Sequence, residues 1–177
     1  MSREDGIGLI HIYTGDGKGK TTAASGLALR CAGCGGHVLF FQFLKGNNSG
    51  ERAALDKIDG IDVCEGLSSL KFVWNMTDEE KEETRKYYRK KFKELCASSE
   101  KYDMLVLDEI IPALKYSFVD TEELISFLKN KPAGLEVVMT GREPDERLVE
   151  IADYVTEMRK IKHPYDRGIG MRKMIEV

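Results

Sequence analysis

The sequence predicts an α/β fold with a mostly parallel sheet of about six strands and helices on both faces. Three observations predict it. Short apolar runs alternate with helical stretches along the chain. Those runs are continuously hydrophobic, the pattern of strands buried on both sides. The polar signatures fall at or just after the ends of the runs, where parallel sheets bind ligands. At 177 residues the chain is long enough for one domain, read as 1–177, with a full core.

Taken in order, Leu9 to Tyr13 is apolar and β-branched and runs into a glycine loop. Lys20 to Cys31 is Ala-rich and helical, and Gly33 to Gly36 breaks it. Val38 to Phe43 and Ile61 to Cys64 read as strands. Thr77-Asp-Glu-Glu80 has the S/T-x-x-E form of a capping box and opens a long helix. Thr84, Tyr88, Phe92, Leu95 and Cys96 recur there at spacings of three and four, giving one apolar face. Met104 to Leu107 is the next strand and ends in Asp108-Glu109. Thr121 to Lys129 is helical, and Pro132-Ala-Gly134 turns the chain. Leu135 to Met139 is a strand ending in Thr140-Gly-Arg142, Asp145 to Ile151 is helical, and Tyr154 to Met158 is a last strand. The glycine loop, Gln42, Asp108-Glu109 and Thr140-Gly-Arg142 should therefore converge on one edge of the sheet.

Bulk composition narrows the function. The net charge of -3 gives no electrostatic reason to expect nucleic acid or an anionic membrane as partner. The longest basic run, Arg85 to Lys93, follows an acidic helix start and reads as a solvated face. No apolar run approaches the ~20 residues of a membrane span. Met1 to Gly6 lacks the basic and apolar regions of a signal peptide, so a cytoplasmic location is expected. The four cysteines do not form a disulfide framework. Cys31 and Cys34 make a lone C-x-x-C, read as small core-filling residues near a helix end rather than a metal or redox site.

The loop Thr14-Gly-Asp-Gly-Lys-Gly-Lys-Thr-Thr22 carries the strongest chemical signal. Gly19, Lys20 and Thr21 fit the end of the phosphate-binding pattern G-x-x-x-x-G-K-[ST], but Thr14 stands where its first glycine belongs. Glycines let such a loop turn its N–H groups inward as an anion nest, and the following helix adds its N-terminal dipole. Lys20 supplies a compact charge to the phosphates, and Thr21 offers a hydroxyl to magnesium. Asp108-Glu109, following four apolar residues, matches the element that holds or orders the metal in such nucleotide-binding proteins. The two signals together predict a P-loop NTPase-like (RecA-like) domain with a magnesium-dependent nucleotide site. Arg142 reaches phosphate or nucleotide, or makes a surface ion pair. Arg30 shares a helix face with Lys20 but sits about 15 Å farther along, out of reach of the phosphates, though another part of a ligand could reach it. His163-Pro-Tyr165 and Arg167 lie in a glycine-containing tail. Alternation along Lys71-Phe-Val-Trp74 places the rings of Phe72 and Trp74 on one side of an extended chain. Either they cap the core or they line a site for a large flat ligand.

Several separated stretches resemble the P-loop type of ATP:corrinoid adenosyltransferases: "YTGDGKGKTTAA", "FFQFLKG" followed by "GER", "FVW", "LVLDEI", "VVMTGREP" and "DYVTEMRKIKHPYDRGI". The likeness runs from about Leu9 to the C-terminus. It implies that the loop holds the ATP triphosphate in the sense opposite to other P-loop enzymes. Corrinoid Co(I) attacks the ribose 5′ carbon, and inorganic triphosphate leaves. It assigns Gly15, Asp16, Gly17, Lys18, Gly19, Lys20, Thr21 and Thr22 to ATP, with Arg30 and Arg142 near the nucleotide. It makes Lys20, Thr21 and Glu109 the residues of the chemistry. Thr21 and Glu109, with Asp108 as a second possibility, would hold Mg2+ (or Mn2+). Phe72 and Trp74 match an F-x-W pair on the corrinoid side, whose role is to exclude the lower axial base. The likeness also implies a homodimer and a reduced flavoprotein as electron donor. The chain departs from the family tail, which often reads A-R-x-G-I-E-F: Met174 stands for a glycine and Val177 for an aromatic. A cover over the site from a longer N-terminal extension is expected to be absent or supplied by a partner subunit. The competing readings are a conventional P-loop ATPase or phosphotransferase, and a nucleotide-dependent corrinoid-binding module.

Overall fold

The computed structural model describes residues 6–47 and 49–175. The expectations for Met1 to Asp5 and for Val177 lie outside the described residues. Six strands form one sheet: β1 (Ile10–Thr14), β2 (Val38–Gln42), β3 (Ile61–Val63), β4 (Met104–Asp108), β5 (Glu136–Thr140) and β6 (Tyr154–Glu157). Their order is β3-β2-β4-β5-β1-β6, and each neighbouring pair is parallel. The helices are α1 (Lys20–Gly33), α2 (Gly50–Leu55), α3 (Asp78–Ser98), α4 (Ile110–Lys115), α5 (Thr121–Asn130) and α6 (Glu146–Ile151).

The hydrophobic strands follow from two-sided coverage. Val38 and Phe40 of β2 pack with Ala24 and Ala28 of α1, while Leu39 and Phe41 join Tyr88, Phe92 and Leu95 of α3 on the opposite face. Ala24 and Ala28 are one turn apart and carry only a methyl group, so α1 can lie close against the sheet. Cys31 packs at the rim of the same cluster, whereas Cys34 is exposed. The edge strand β6 is exposed at all four positions.

The long helix α3 starts where the capping box places it. Glu80 N–H donates to Thr77 Oγ1 at 3.2 Å, and Thr77 N–H donates to Glu80 Oε2 at 2.9 Å. Thr84, Tyr88, Phe92 and Leu95 are buried along the expected face, and Cys96 lies at its edge. Two short helices carry no sequence signal of their own. α2 is six residues long, and α4 follows Glu109 with Pro112 inside its first turn, so its residues read as an apolar run with a breaker. Proline is tolerated there because the first-turn N–H groups have no helical partner.

Tyr88 ties this core to the loop after β2. Its ring is fully buried, and its hydroxyl oxygen accepts Leu44 N–H at 2.9 Å. Leu44 sits in the left-handed region at φ 53, a conformation that needs external support. Burial pushes the Tyr88 phenol up to about 12. Tyr88→Phe should cost about 1 kcal/mol, the usual worth of one such hydrogen bond. Urea unfolding should show a lower midpoint with an unchanged slope, and an unaltered midpoint would mean that the hydroxyl does not hold the loop.

Candidate functional site

The phosphate loop joins β1 to α1, with Gly15 at φ 100 and Gly19 at φ 120. Its lysine folds back over it: Lys20 Nζ donates to Gly15 O at 2.7 Å and to Gly17 O at 2.8 Å. Burial, and then the nearby Arg142 charge, pull the Lys20 amine below its ordinary value. The segment after β6 straps the loop from outside. Met158 N–H donates to Thr14 O at 2.8 Å, and Gly17 N–H donates to Met158 O at 2.6 Å. Lys160 N–H donates to Asp16 Oδ1 at 2.9 Å and holds that carboxyl below its ordinary value. The Asp16 carboxylate is thus engaged by the strap, and a negative group there would repel a phosphate.

Across the cleft, Asp108 is fully buried at the end of β4. Its Oδ1 accepts Thr140 Oγ1 at 2.7 Å. Its Oδ2 accepts Gln42 Nε2 at 3.0 Å, Lys45 Nζ at 3.0 Å and Thr21 Oγ1 at 3.2 Å. Glu109 follows at φ 59, its N–H donating to Thr140 Oγ1 at 2.8 Å. Burial, and then the Asp108 charge, raise the Glu109 carboxyl. Glu51 accepts Gln42 Nε2 at 2.9 Å, while Ser49 Oγ donates to Gln42 Oε1 at 2.6 Å. The strand-end residues named from the sequence do converge.

Two cavities open onto this cluster. One, of about 440 Å³, is lined by residues 16–22 of the loop and by Arg142, Glu109 and His163. The other, of about 610 Å³, is lined by Phe72, Trp74, Leu44, Leu70, Pro112 and Tyr116. Lys45, Glu51 and Glu109 belong to both linings, so they form the wall between the two. The chain around Trp74 is a 3-10 turn, Val73–Asn75, and not the extended segment that alternation predicted. The turn still brings the rings together: Phe72 and Trp74 stack at 4.6 Å with planes 9° apart. They do not cap the core. Trp74 is 72% exposed and Phe72 60%, while Val73 between them packs inward.

Arg30 lies exposed in the last turn of α1 and does not reach the nucleotide cavity. Ser25, Lys45, Glu51 and Ile175 are the lining residues that sequence reasoning passed over. Lys45 was open to the same rule that found Gln42, since it follows the end of β2. His163 Nδ1 accepts Tyr165 N–H at 3.2 Å, capping the turn Pro164–Arg167 beside the cavity. Met174 occupies the left-handed region at φ 71, so the tail keeps a glycine-type conformation where the resembling family has glycine.

A divalent cation fits the donor chemistry here. Thr21, Asp108 and Glu51 offer oxygens within hydrogen-bond reach of one point, and the Lys45 ammonium stands at that point as a cation. All-oxygen donors suit Mg2+ or Mn2+. Among the described residues no cluster of three or more His, Cys, Asp or Glu would hold a metal alone. Phosphate oxygens would have to complete the shell, as magnesium favours.

The strap makes a sharp prediction. A Cβ on Gly17 would lie 2.5 Å from Met158 O. Gly17→Ala must push the strap and loop apart, so ATP affinity should fall about tenfold or more by calorimetry, with the thermal midpoint lowered as well. Unchanged affinity would show that this close approach does not shape the loop.

The family described as ATP:corrinoid adenosyltransferase BtuR/CobO/CobP matches residues 6–177. A corrinoid adenosyltransferase of Sinorhizobium sp is 40% identical, over 99% of this chain and 83% of the relative. The Escherichia coli (strain K12) corrinoid adenosyltransferase is 35% identical, over 94% of this chain and 84% of the relative. Salmonella typhimurium (strain LT2) has one that is 34% identical, over 96% and 85%. With a phosphate loop facing an aromatic cavity and relatives this alike over nearly the full length, the chain belongs to the ATP:corrinoid adenosyltransferase family.

Proposed function

We propose that the protein transfers the 5′-deoxyadenosyl group of ATP to the Co(I) centre of a corrinoid, in adenosylcobalamin biosynthesis or salvage. The observation that carries this reading is the shared wall. A cationic phosphate loop lines one cavity, a stacked aromatic pair lines the other, and Lys45, Glu51 and Glu109 separate them. Two substrates bound there would meet at that wall.

The cobalt electron pair attacks the ribose 5′ carbon. The cobalt–carbon bond forms as the carbon–oxygen bond breaks, and triphosphate leaves with that bonding pair. Co(I) is a strong nucleophile, so the protein needs no general base. Its tasks are to hold the 5′ carbon in line, worth several kcal/mol of barrier in well-oriented reactions, and to stabilise the departing charge. The loop N–H groups and Lys20 serve the second task. The Lys20 amine is preorganised over the loop by two carbonyls and need only turn toward phosphate. Thr21, Asp108 and Glu109 would hold Mg2+ or Mn2+ against the phosphate oxygens, and such an ion, when bound, neutralises charge on the leaving triphosphate. Phe72 and Trp74 exclude the lower axial base, which makes the Co(II) corrinoid easier to reduce.

Family likeness supports a reduced flavoprotein as electron donor, a cytoplasmic setting and a homodimer. The exposed edge strand β6, with Tyr154 and Val155 uncovered, also supports the homodimer. No described helix is long and apolar enough to cross a membrane.

The test is the phosphate product formed from ATP, magnesium and chemically reduced cob(I)alamin. Inorganic triphosphate should appear together with a light-sensitive cobalt–alkyl spectrum. ADP and phosphate formed regardless of corrinoid would make the protein an ordinary phosphotransferase, and binding without turnover would make it a binding module. Trp74→Ala should slow the route that starts from Co(II) at least about tenfold more than the route from prepared Co(I). Equal losses on both routes would remove base exclusion from its role.

A further inference from the structure

The phosphate loop and the carboxylate cluster use different lysines. The Lys20 amine rests on the carbonyls of Gly15 and Gly17, on the phosphate-loop side. The charge that faces the carboxylates is Lys45, whose Nζ lies 3.0 Å from Thr21 Oγ1, 3.0 Å from Asp108 Oδ2 and 3.4 Å from Glu51 Oε1. These oxygens include Thr21 and Asp108, two of the groups that would hold a divalent ion. A magnesium or manganese ion sits about 2.1 Å from its oxygens. An ammonium 3.0 Å from the same atoms leaves no room for it and repels it.

We propose that Lys45 is a tethered cation that competes with the divalent metal for the Thr21, Asp108 and Glu51 oxygens, so that metal enters only with the nucleotide. A free metal ion must displace the ammonium with nothing to receive it. A metal–nucleotide complex brings phosphate oxygens, which ligate the metal and accept the displaced amine. The fold holds Lys45 at this post: it follows Leu44, whose strained backbone is pinned by the Tyr88 hydroxyl. The displaced side chain stays local, because Lys45 already lines both cavities. Lys45 is thus a positioning residue that couples metal occupancy to nucleotide arrival. The inference rests on the reading that a divalent ion accompanies the nucleotide, and does not depend on which bond of ATP is broken.

The test is a Mn2+ titration of the full chain followed by electron paramagnetic resonance, without corrinoid, with and without ATP. Lys45→Met should bind Mn2+ alone about tenfold or more tightly than the wild type, since a competing charge is gone. The enhancement of Mn2+ binding by ATP should shrink by a similar factor. Lys129→Met removes one positive charge from the end of α5 and should leave both quantities unchanged. If Lys45→Met does not fold, Lys45→Gln keeps a hydrogen-bond donor without the charge and should give the same shift. Mn2+ affinity equal to that of the wild type, or a gain matched by Lys129→Met, would overturn the proposal. The triphosphate assay is read separately. ADP as product with a tightened Mn2+ site would sink adenosyl transfer and leave the role of Lys45 standing, and the reverse pair of results would do the opposite.

Discussion

Asp108 is a fully buried carboxylate at the centre of the sheet, and the elements of the site are tied together through it. Isolated in such a place, an ionised carboxylate would cost several kcal/mol. Here it is offset by donors from four different segments: Thr140 at the end of β5, Gln42 at the end of β2, Thr21 in the first turn of α1, and Lys45 beyond β2. Together these donors offset the buried charge. The carboxylate therefore sets the relative positions of three strand ends and a helix start. The parallel topology makes this possible, since β2, β4 and β5 are neighbours and end on the same edge.

The backbone carries strain where that edge meets the loops. Leu44 and Glu109 both lie at positive φ without being glycine. Such residues persist when their surroundings over-determine them. Leu44 is held by the Tyr88 hydroxyl, and Glu109 by the Thr140 hydroxyl, which also serves Asp108. Both carry functional neighbours: Leu44 precedes the lysine of the carboxylate cluster, and Glu109 is itself part of the wall between the cavities. The core is thus coupled to the site through two hydroxyl groups rather than through apolar packing alone.

The arrangement also accounts for how one small fold can serve two unlike substrates. Charged groups and backbone N–H donors are concentrated on the side of α1, and exposed aromatic surface on the side of the 3-10 turn. The segment after β6 reaches back to close the phosphate loop, so a distant part of the chain shapes the first motif.

Much of this was legible in the sequence by itself. The six strands, the parallel sheet, the capped helix α3 and the glycine loop all rest on local pattern: hydrophobic runs, helical spacing, a capping box, a strand–loop–helix signature. The family likeness and the convergence of Gln42, Asp108, Glu109 and Thr140 followed from the same local cues. The rest needed the tertiary structure. Short helices such as α2 and α4 are too brief to show a period. Glu51 becomes a site residue only because α2 brings it against Gln42 and Lys45. The Asp16 carboxylate turns to the strap because Lys160, 144 positions away, offers an N–H. Arg30 stays outside the cavity lining because it stands in the last turn of α1, while the loop precedes the first. Alternation wrongly made the Phe72–Trp74 segment extended, because a single 3-10 turn also sets two rings face to face. Local pattern encodes which elements form. Which side chains share a charge, a hydrogen bond or a wall depends on contacts between residues far apart in the chain.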